Sequence, residues 1–254
     1  MKRAEFRPCI DLHDGCVKQI VGSTLRDTGE VTTNFVAASP PEYYAELYRR
    51  DGLTGGHVIM LGKGNESAAL AALRAYPGGL QAGGGITTDN AGIFLDAGAS
   101  QVIVTSFIFS DGELKREKLQ EIFRAVGKAH LVLDLSCRLR DGKYWIVTDR
   151  WQKFTRWSLT PELLAELGNF ACEFLIHAVD VEGKCAGIDE TLVAFLAQNS
   201  PLDCVYAGGI RSIADIEKIE TSGKGRIHYT VGSALDLFGG KLSYRTLVER
   251  TRQS

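Results

Sequence analysis

The chain repeats its own landmarks at about half its length, and that repeat restricts the fold more than any other feature. An apolar run ends in aspartate at Pro8-Cys9-Ile10-Asp11-Leu12 and again at Leu131-Val132-Leu133-Asp134-Leu135, so Asp11 and Asp134 stand 123 residues apart in a chain of 254. The glycine run Ala82-Gly83-Gly84-Gly85-Ile86 returns as Ala207-Gly208-Gly209-Ile210, with Gly85 and Gly209 124 residues apart. Val102-Ile103-Val104-Thr105-Ser106-Phe107 returns as His228-Tyr229-Thr230-Val231-Gly232-Ser233-Ala234, with Ser106 and Ser233 127 residues apart. Three landmarks in one order at one period point to a duplicated half. A folded pseudo-twofold brings the two aspartates to one mouth and sets two glycine-rich anion sites around it.

The segments between these landmarks alternate in kind. Short β-branched runs predict strands near 6–11, 57–61, 79–82, 101–104, 130–135, 173–178, 203–206 and 228–231. Apolar residues near i, i+3 and i+4 predict helices over 41–48, 67–73, 117–126, 161–167, 190–196, 213–219 and 244–248. Parallel strands need crossover helices, and closure removes exposed edges. The expected fold is therefore α/β, a closed (β/α)8 or TIM barrel with an internal half-barrel repeat, forming one domain over residues 1–254. An open doubly wound sheet is the alternative. With 44% hydrophobic residues in 27.7 kDa, the chain can bury a core of that size. Two connections, 13–39 and 136–160, are too long for plain linkers and read as functional lids or loose loops. The second, with Tyr144-Trp145-Ile146-Val147 and Trp151-Gln152-Lys153-Phe154, looks like an aromatic hairpin; packing of its tryptophans on the barrel is the plainer reading.

Charge and cysteine usage exclude several functions. A formal net charge of −2 supplies no long-range field for nucleic acid or an anionic membrane surface. No apolar stretch reaches the roughly 18 residues that cross a bilayer. The six cysteines Cys9, Cys16, Cys137, Cys172, Cys185 and Cys204 form no C-x-x-C pair, and no signal-peptide core follows Met1-Lys2-Arg3. These features predict reduced thiols in a cytoplasmic protein. The histidines His13, His57, His130, His177 and His228 show no ligand spacing, so no metal is expected.

Asp11 and Asp134 end strands of buried character, where a charge is costly unless it faces a polar site. Across a barrel mouth they suit a general base and a general acid on opposite sides of one substrate. The alternative is that each caps its loop or pairs with Lys18 or Arg138. Gly84, Gly85, Thr105 and Ser106 in one half, and Gly208, Gly209, Gly232 and Ser233 in the other, offer backbone N–H groups to anions, with the next helix N-terminus adding its dipole. Glycines also simply relieve crowding at strand ends; their duplication favours two phosphates at opposite ends of one ligand. Arg211 and Ser212 follow the second run and could add a charge-assisted contact, where the first run has Thr87 and Thr88. His177 points to the mouth either to position a ligand or to neighbour a loop tied down by Asp180.

Taken together, these motifs resemble the phosphoribosylformimino-5-aminoimidazole carboxamide ribotide isomerases of histidine biosynthesis, over nearly the whole length. The residues that carry the likeness are Pro8 to Gly15, Gly83-Gly84-Gly85-Ile86, Asp134, Trp151-Gln152, Ala207 to Ser212 and Val231 to Leu235. The resemblance implies a half-repeat barrel and an Amadori rearrangement of an aminoaldose phosphate to an aminoketose, with no metal or redox cofactor. It implies Asp11 as general base and Asp134 as general acid, Trp151 stacking on the substrate, and a bis-phosphorylated ribotide bound by a monomer. Thr87, Met60 or Leu61, Ala178 and the longer loop at 137–142 depart from the bacterial pattern and suggest the eukaryotic branch. The related cyclase subunit differs in its second glycine run. A bifunctional isomerase also acting on phosphoribosylanthranilate, a non-catalytic phosphosugar-binding barrel and a flavin-dependent barrel are the other readings.

Overall fold

The structure, a computed structural model, describes residues 3–20, 33–149, 151–182 and 186–253. Met1 and Lys2, residues 21–32 of the first long loop, Gly183 and Cys185 lie outside the described residues.

Eight strands form the parallel part of one curled sheet: β1 (Cys9–His13), β2 (Gly56–Met60), β3 (Leu80–Gly83), β4 (Val102–Val104), β5 (Leu131–Asp134), β6 (Glu173–His177), β7 (Cys204–Ala207) and β8 (Ile227–Thr230). Each pairs in parallel with the next in sequence. Two further strands, Cys16–Ile20 and Thr33–Val36, add antiparallel beyond β1 and bring the sheet to ten. Just ahead of β1, Phe6 bridges Tyr229 of β8 in parallel: the Arg7 N–H donates to the Tyr229 carbonyl at 2.8 Å and the Tyr229 N–H to that of Glu5 at 3.1 Å. The loop after β5 is a three-stranded antiparallel sheet, Cys137–Arg140, Lys143–Thr148 and Lys153–Ser158, one strand more than the expected hairpin.

Eight α-helices are described: α1 (Pro41–Asp51), α2 (Glu66–Ala75), α3 (Ala91–Asp96), α4 (Arg116–Val126), α5 (Pro161–Leu167), α6 (Glu190–Asn199), α7 (Ile213–Gly223) and α8 (Tyr244–Arg252). All but α3 carry the expected periodicity. That helix is only 6 residues long and buries Ala91 and Phe94 alone, too little pattern to recognise. The halves also differ in capping. Thr160, Asp189, Ser212 and Ser243 each accept an N–H bond at the start of a second-half helix, whereas α1 to α4 have no side-chain cap.

Strand alternation places the chemistry. In β5, Leu131 and Leu133 pack toward the helices, leaving Val132 and Asp134 on the inner face; in β6, Phe174 and Ile176 point out, with Leu175 and His177 inward. Ile103, Val132, Leu175 and Val205, from four adjacent strands, form a small inner cluster with Ile59 packed on it. Asp134 and His177 therefore stand one step above a dry floor. Leu175→Ala is expected to cost about 2–5 kcal/mol by opening a cavity in that floor. Urea unfolding of the variant measures this, and an unchanged midpoint would show that the floor is not close-packed.

Candidate active site

A cavity of about 510 Å³ lies over this floor, lined by Asp11, Asp134, Trp151 and His177 together with the first-half loop residues Gly84, Gly85, Thr105 and Ser106. A smaller recess of about 50 Å³ adjoins it, lined by the second-half residues Gly208, Gly209, Gly232 and Ser233. Asp11, Gln19, His177 and Glu182 line both. The structure thus brings together every residue expected from the duplicated motifs, with one set of glycine and serine loops at each end and the carboxylates between them.

Gly84 and Gly208 are required by close backbone approach. A methyl group on Gly84 would sit 2.2 Å from the Met60 carbonyl oxygen at the end of β2, and one on Gly208 would sit 2.9 Å from the Ala178 carbonyl just after β6. Both have positive φ, 91° and 127°. The loops that follow do not all lead into helices. Ser106 precedes the small hairpin Phe109–Ser110 and Glu113–Leu114, and Ser233 precedes a short 3₁₀ turn, Asp236–Phe238. The expectation of a helix dipole at these loops is corrected accordingly: the donors there are turn amides.

The two aspartates have different neighbours. Asp11 accepts a hydrogen bond from the Gln19 side-chain amide at 3.0 Å. Burial raises its pKa, and the Gln19 bond, the His177 charge and the Cys9 thiol only partly oppose that. Asp134 accepts three bonds on one oxygen: the Ser136 N–H at 2.9 Å, the Ser136 hydroxyl at 2.8 Å, and His177 Nδ1 at 3.3 Å. Burial again pushes its pKa up, but the charge and hydrogen bond of His177, joined by Ser136, hold it below the usual carboxylate range. Burial opposes a charge on His177 too, yet Asp134, with Glu182 and Asp11, raises its pKa to about 9. The Trp151 indole N–H donates to the Ser136 hydroxyl at 3.0 Å, and its ring lies 5.4 Å from that of His177. Trp151 holds φ 67°, a left-handed conformation unusual for an aromatic residue and of a kind that gathers at functional sites.

The alternative roles are taken by other residues. Lys18 pairs with Asp14 and Arg138 with Asp180, so neither neutralises the two aspartates. Asp180 also accepts the Leu139 N–H, tying down the loop after β6. Trp145 donates to the Arg140 carbonyl and Trp157 to Glu113, packing roles that leave Trp151 to the cavity. Arg211 is a correction: it lines neither part of the cavity, and its guanidinium reaches the Ala186 carbonyl and Asp215. Ser212 caps α7. A cation does line the first-half end, where Thr87 supplies none: Lys153, paired with Asp149 at 2.8 Å.

Gln19 is the residue that sequence reasoning missed. Its strand folds back on β1, Leu12 opposite Val17, and this antiparallel step carries the amide to Asp11. A methyl group on Gly232 would lie 2.4 Å from Gln19 Oε1, so the side chain is wedged between the aspartate and the second-half loop. Gln19→Ala is expected to lower turnover about tenfold, the scale of one charge-assisted hydrogen bond. Because the lost bond lowers the Asp11 pKa, the acidic limb of the pH–rate profile should move to higher pH. A profile with that limb unmoved would show that Gln19 does not tune Asp11.

Two carboxylates set between two groups of glycine and serine loops make this a small-molecule site. A sequence model of the family described as "Histidine biosynthesis protein" matches residues 5–243, and the chain belongs to that family. It is 55% identical over 251 residues to a chloroplastic 1-(5-phosphoribosyl)-5-((5-phosphoribosylamino)methylideneamino) imidazole-4-carboxamide isomerase of Medicago truncatula, covering 96% of this chain and 80% of that protein. Isomerases of the same name from Neurospora crassa, 48% identical over 93% of both chains, and Saccharomyces cerevisiae, 44% identical over 94% of both, are also similar to it.

Proposed function

We propose that the chain is the aldose–ketose isomerase of histidine biosynthesis named in those relatives, converting an aminoaldose ribotide with two phosphoribosyl groups into its aminoketose isomer. The observation that carries this reading is the cavity and its adjoining recess, where Asp11 and the Asp134–His177 pair lie between two duplicated sets of glycine and serine loops. A ligand phosphorylated at each end suits those loops, and both ends are built from one chain, so a monomer suffices. The backbone bonds that Glu5 and Arg7 make with Tyr229 of β8 support a sheet closed as a (β/α)8 barrel with the cavity at its C-terminal mouth. The five described cysteines are free thiols, which suits a reducing compartment such as the cytoplasm. No helix of the described residues is long and apolar enough to cross a membrane.

The chemistry divides between the two sides of the cavity. A proton from the Asp134–His177 side goes to the furanose ring oxygen as the C1–O bond breaks, and the exocyclic nitrogen lone pair forms the iminium. Asp11 then takes the C2 proton, and the electrons of that bond form the enaminol. Asp11 returns the proton to C1, while the C2 hydroxyl proton passes back to the Asp134–His177 side, leaving the ketone. Protons and electrons balance with both sides restored. Incubating purified protein with the aminoaldose ribotide, and following the product by chromatography, tests the reading. Conversion to the aminoketose is expected, and binding without conversion would instead mark a phosphosugar-binding protein.

A further inference from the structure

We infer that His177, as an imidazolium held by Asp134, is the acid that delivers the ring-opening proton, and that Asp134 stays a carboxylate throughout. The inference rests on the isomerase reading and assigns the proton within it.

Three observations place the proton on the ring. The first is acceptor geometry. Asp134 Oδ1 receives three donors, from the Ser136 amide, the Ser136 hydroxyl and His177 Nδ1. A carboxyl group that accepts this many bonds is stabilised in its ionised form. The second is the ring's surroundings. The groups facing His177 are Asp134 from β5, Asp11 from β1 and Glu182 from the loop after β6, three carboxylates against one imidazole, His57 of β2. His57 is fully buried, and burial drives its pKa down to about 3, so it stays neutral and does not compete for the charge. The Trp151 ring, with its centroid 5.4 Å away, lies within cation–π range of an imidazolium. The third is direction. Among the described residues the ring's polar contacts are made by Nδ1, to Asp134 and Ser136, and the ring also lines the cavity, to which Nε2, the opposite ring nitrogen, is assigned.

The step balances. The Nε2–H bond breaks as the substrate ring oxygen takes its proton and the C1–O bond cleaves, leaving neutral imidazole. When the enaminol collapses to the ketone, the C2 hydroxyl proton returns to Nε2 and restores the imidazolium. Asp134 keeps the ring charged and oriented, the part of a positioning carboxylate, while Asp11 remains the base.

The test combines kinetics with direct observation of the ring. In protein labelled with ¹⁵N-histidine, with the His177 signal assigned by its loss in His177→Asn, the ring nitrogens should report an imidazolium at pH 7.5. A neutral imidazole there would overturn the inference whatever the variants do. His177→Asn offers a side-chain amide toward Asp134 in place of Nδ1 but carries no transferable proton. It should fold, retain KM within a few-fold, and lose roughly 10²- to 10⁴-fold in kcat together with the alkaline limb of the wild-type pH–rate profile. Near-normal kcat, or a raised KM with kcat retained, would reduce His177 to a binding or packing residue. Wild-type protein that bound the ribotide without converting it would instead remove the isomerase reading itself, a different result from active wild type with an unimpaired variant.

Discussion

Asp11→Asn is expected to yield a folded protein that still binds the bis-phosphorylated ribotide and isomerises it roughly 10²- to 10⁴-fold more slowly, the range spanned by loss of one general base. Its fold should survive because Gln19, which bonds Asp11 at 3.0 Å, can bond an asparagine amide as well. Burial raises the Asp11 pKa, which strengthens the carboxylate as a base for a carbon-bound proton. The defect should therefore fall on kcat. Single-turnover assays and equilibrium binding of the product separate the two quantities, and near-normal kcat in the variant would remove Asp11 from the mechanism.

Asp134→Asn should lose as much turnover, for a different reason. The asparagine can still meet Ser136 and His177, yet it brings no charge, and burial then drives the His177 proton off. If His177, whose pKa Asp134 raises to about 9, sets the alkaline limb of activity in the wild type, that limb should retreat below the ordinary histidine value of 6.5 in the variant. Stability follows the same linkage. A histidine whose folded pKa stands above its unfolded one contributes fully below about pH 6.5, and the contribution disappears as pH rises through about 9. Asp134 is shifted the other way, so its contribution is present above its unfolded value of 3.8 and is lost as pH falls through the lower folded one. The wild type should accordingly lose on the order of a few kcal/mol of unfolding free energy between pH 6 and pH 9.5, and Asp134→Asn should lose markedly less. Urea titrations at the two pH values decide it, and parallel losses in both proteins would break the link between the pair and stability.

Much of this site was legible because strands announce themselves twice, by β-branched runs and by alternation. Asp11, Asp134 and His177 each end such a run, and the glycine loops repeat at one interval. What escaped depends on contacts between segments. Gln19 reads as one more polar residue until its strand turns back on β1. Lys153 acquires its place only when the three-stranded loop folds over the cavity. Arg211 reads as a possible extra ligand contact because it follows the second glycine run, but Asp215, one helical turn on, accepts its guanidinium and its backbone N–H. Local order named the donor, and a local acceptor captured it. Helix α3 fails on length, since 6 residues with two inward side chains leave no period to detect.

Duplication delivered two carboxylates in matching motifs, and their neighbours made them unequal: an amide beside Asp11, an imidazole and a hydroxyl beside Asp134. The two ends are unequal too, Lys153 lining one and a recess of about 50 Å³ forming the other, so turning a head-and-tail ligand end for end would change both its grips and which carboxylate faces which side of its reacting sugar.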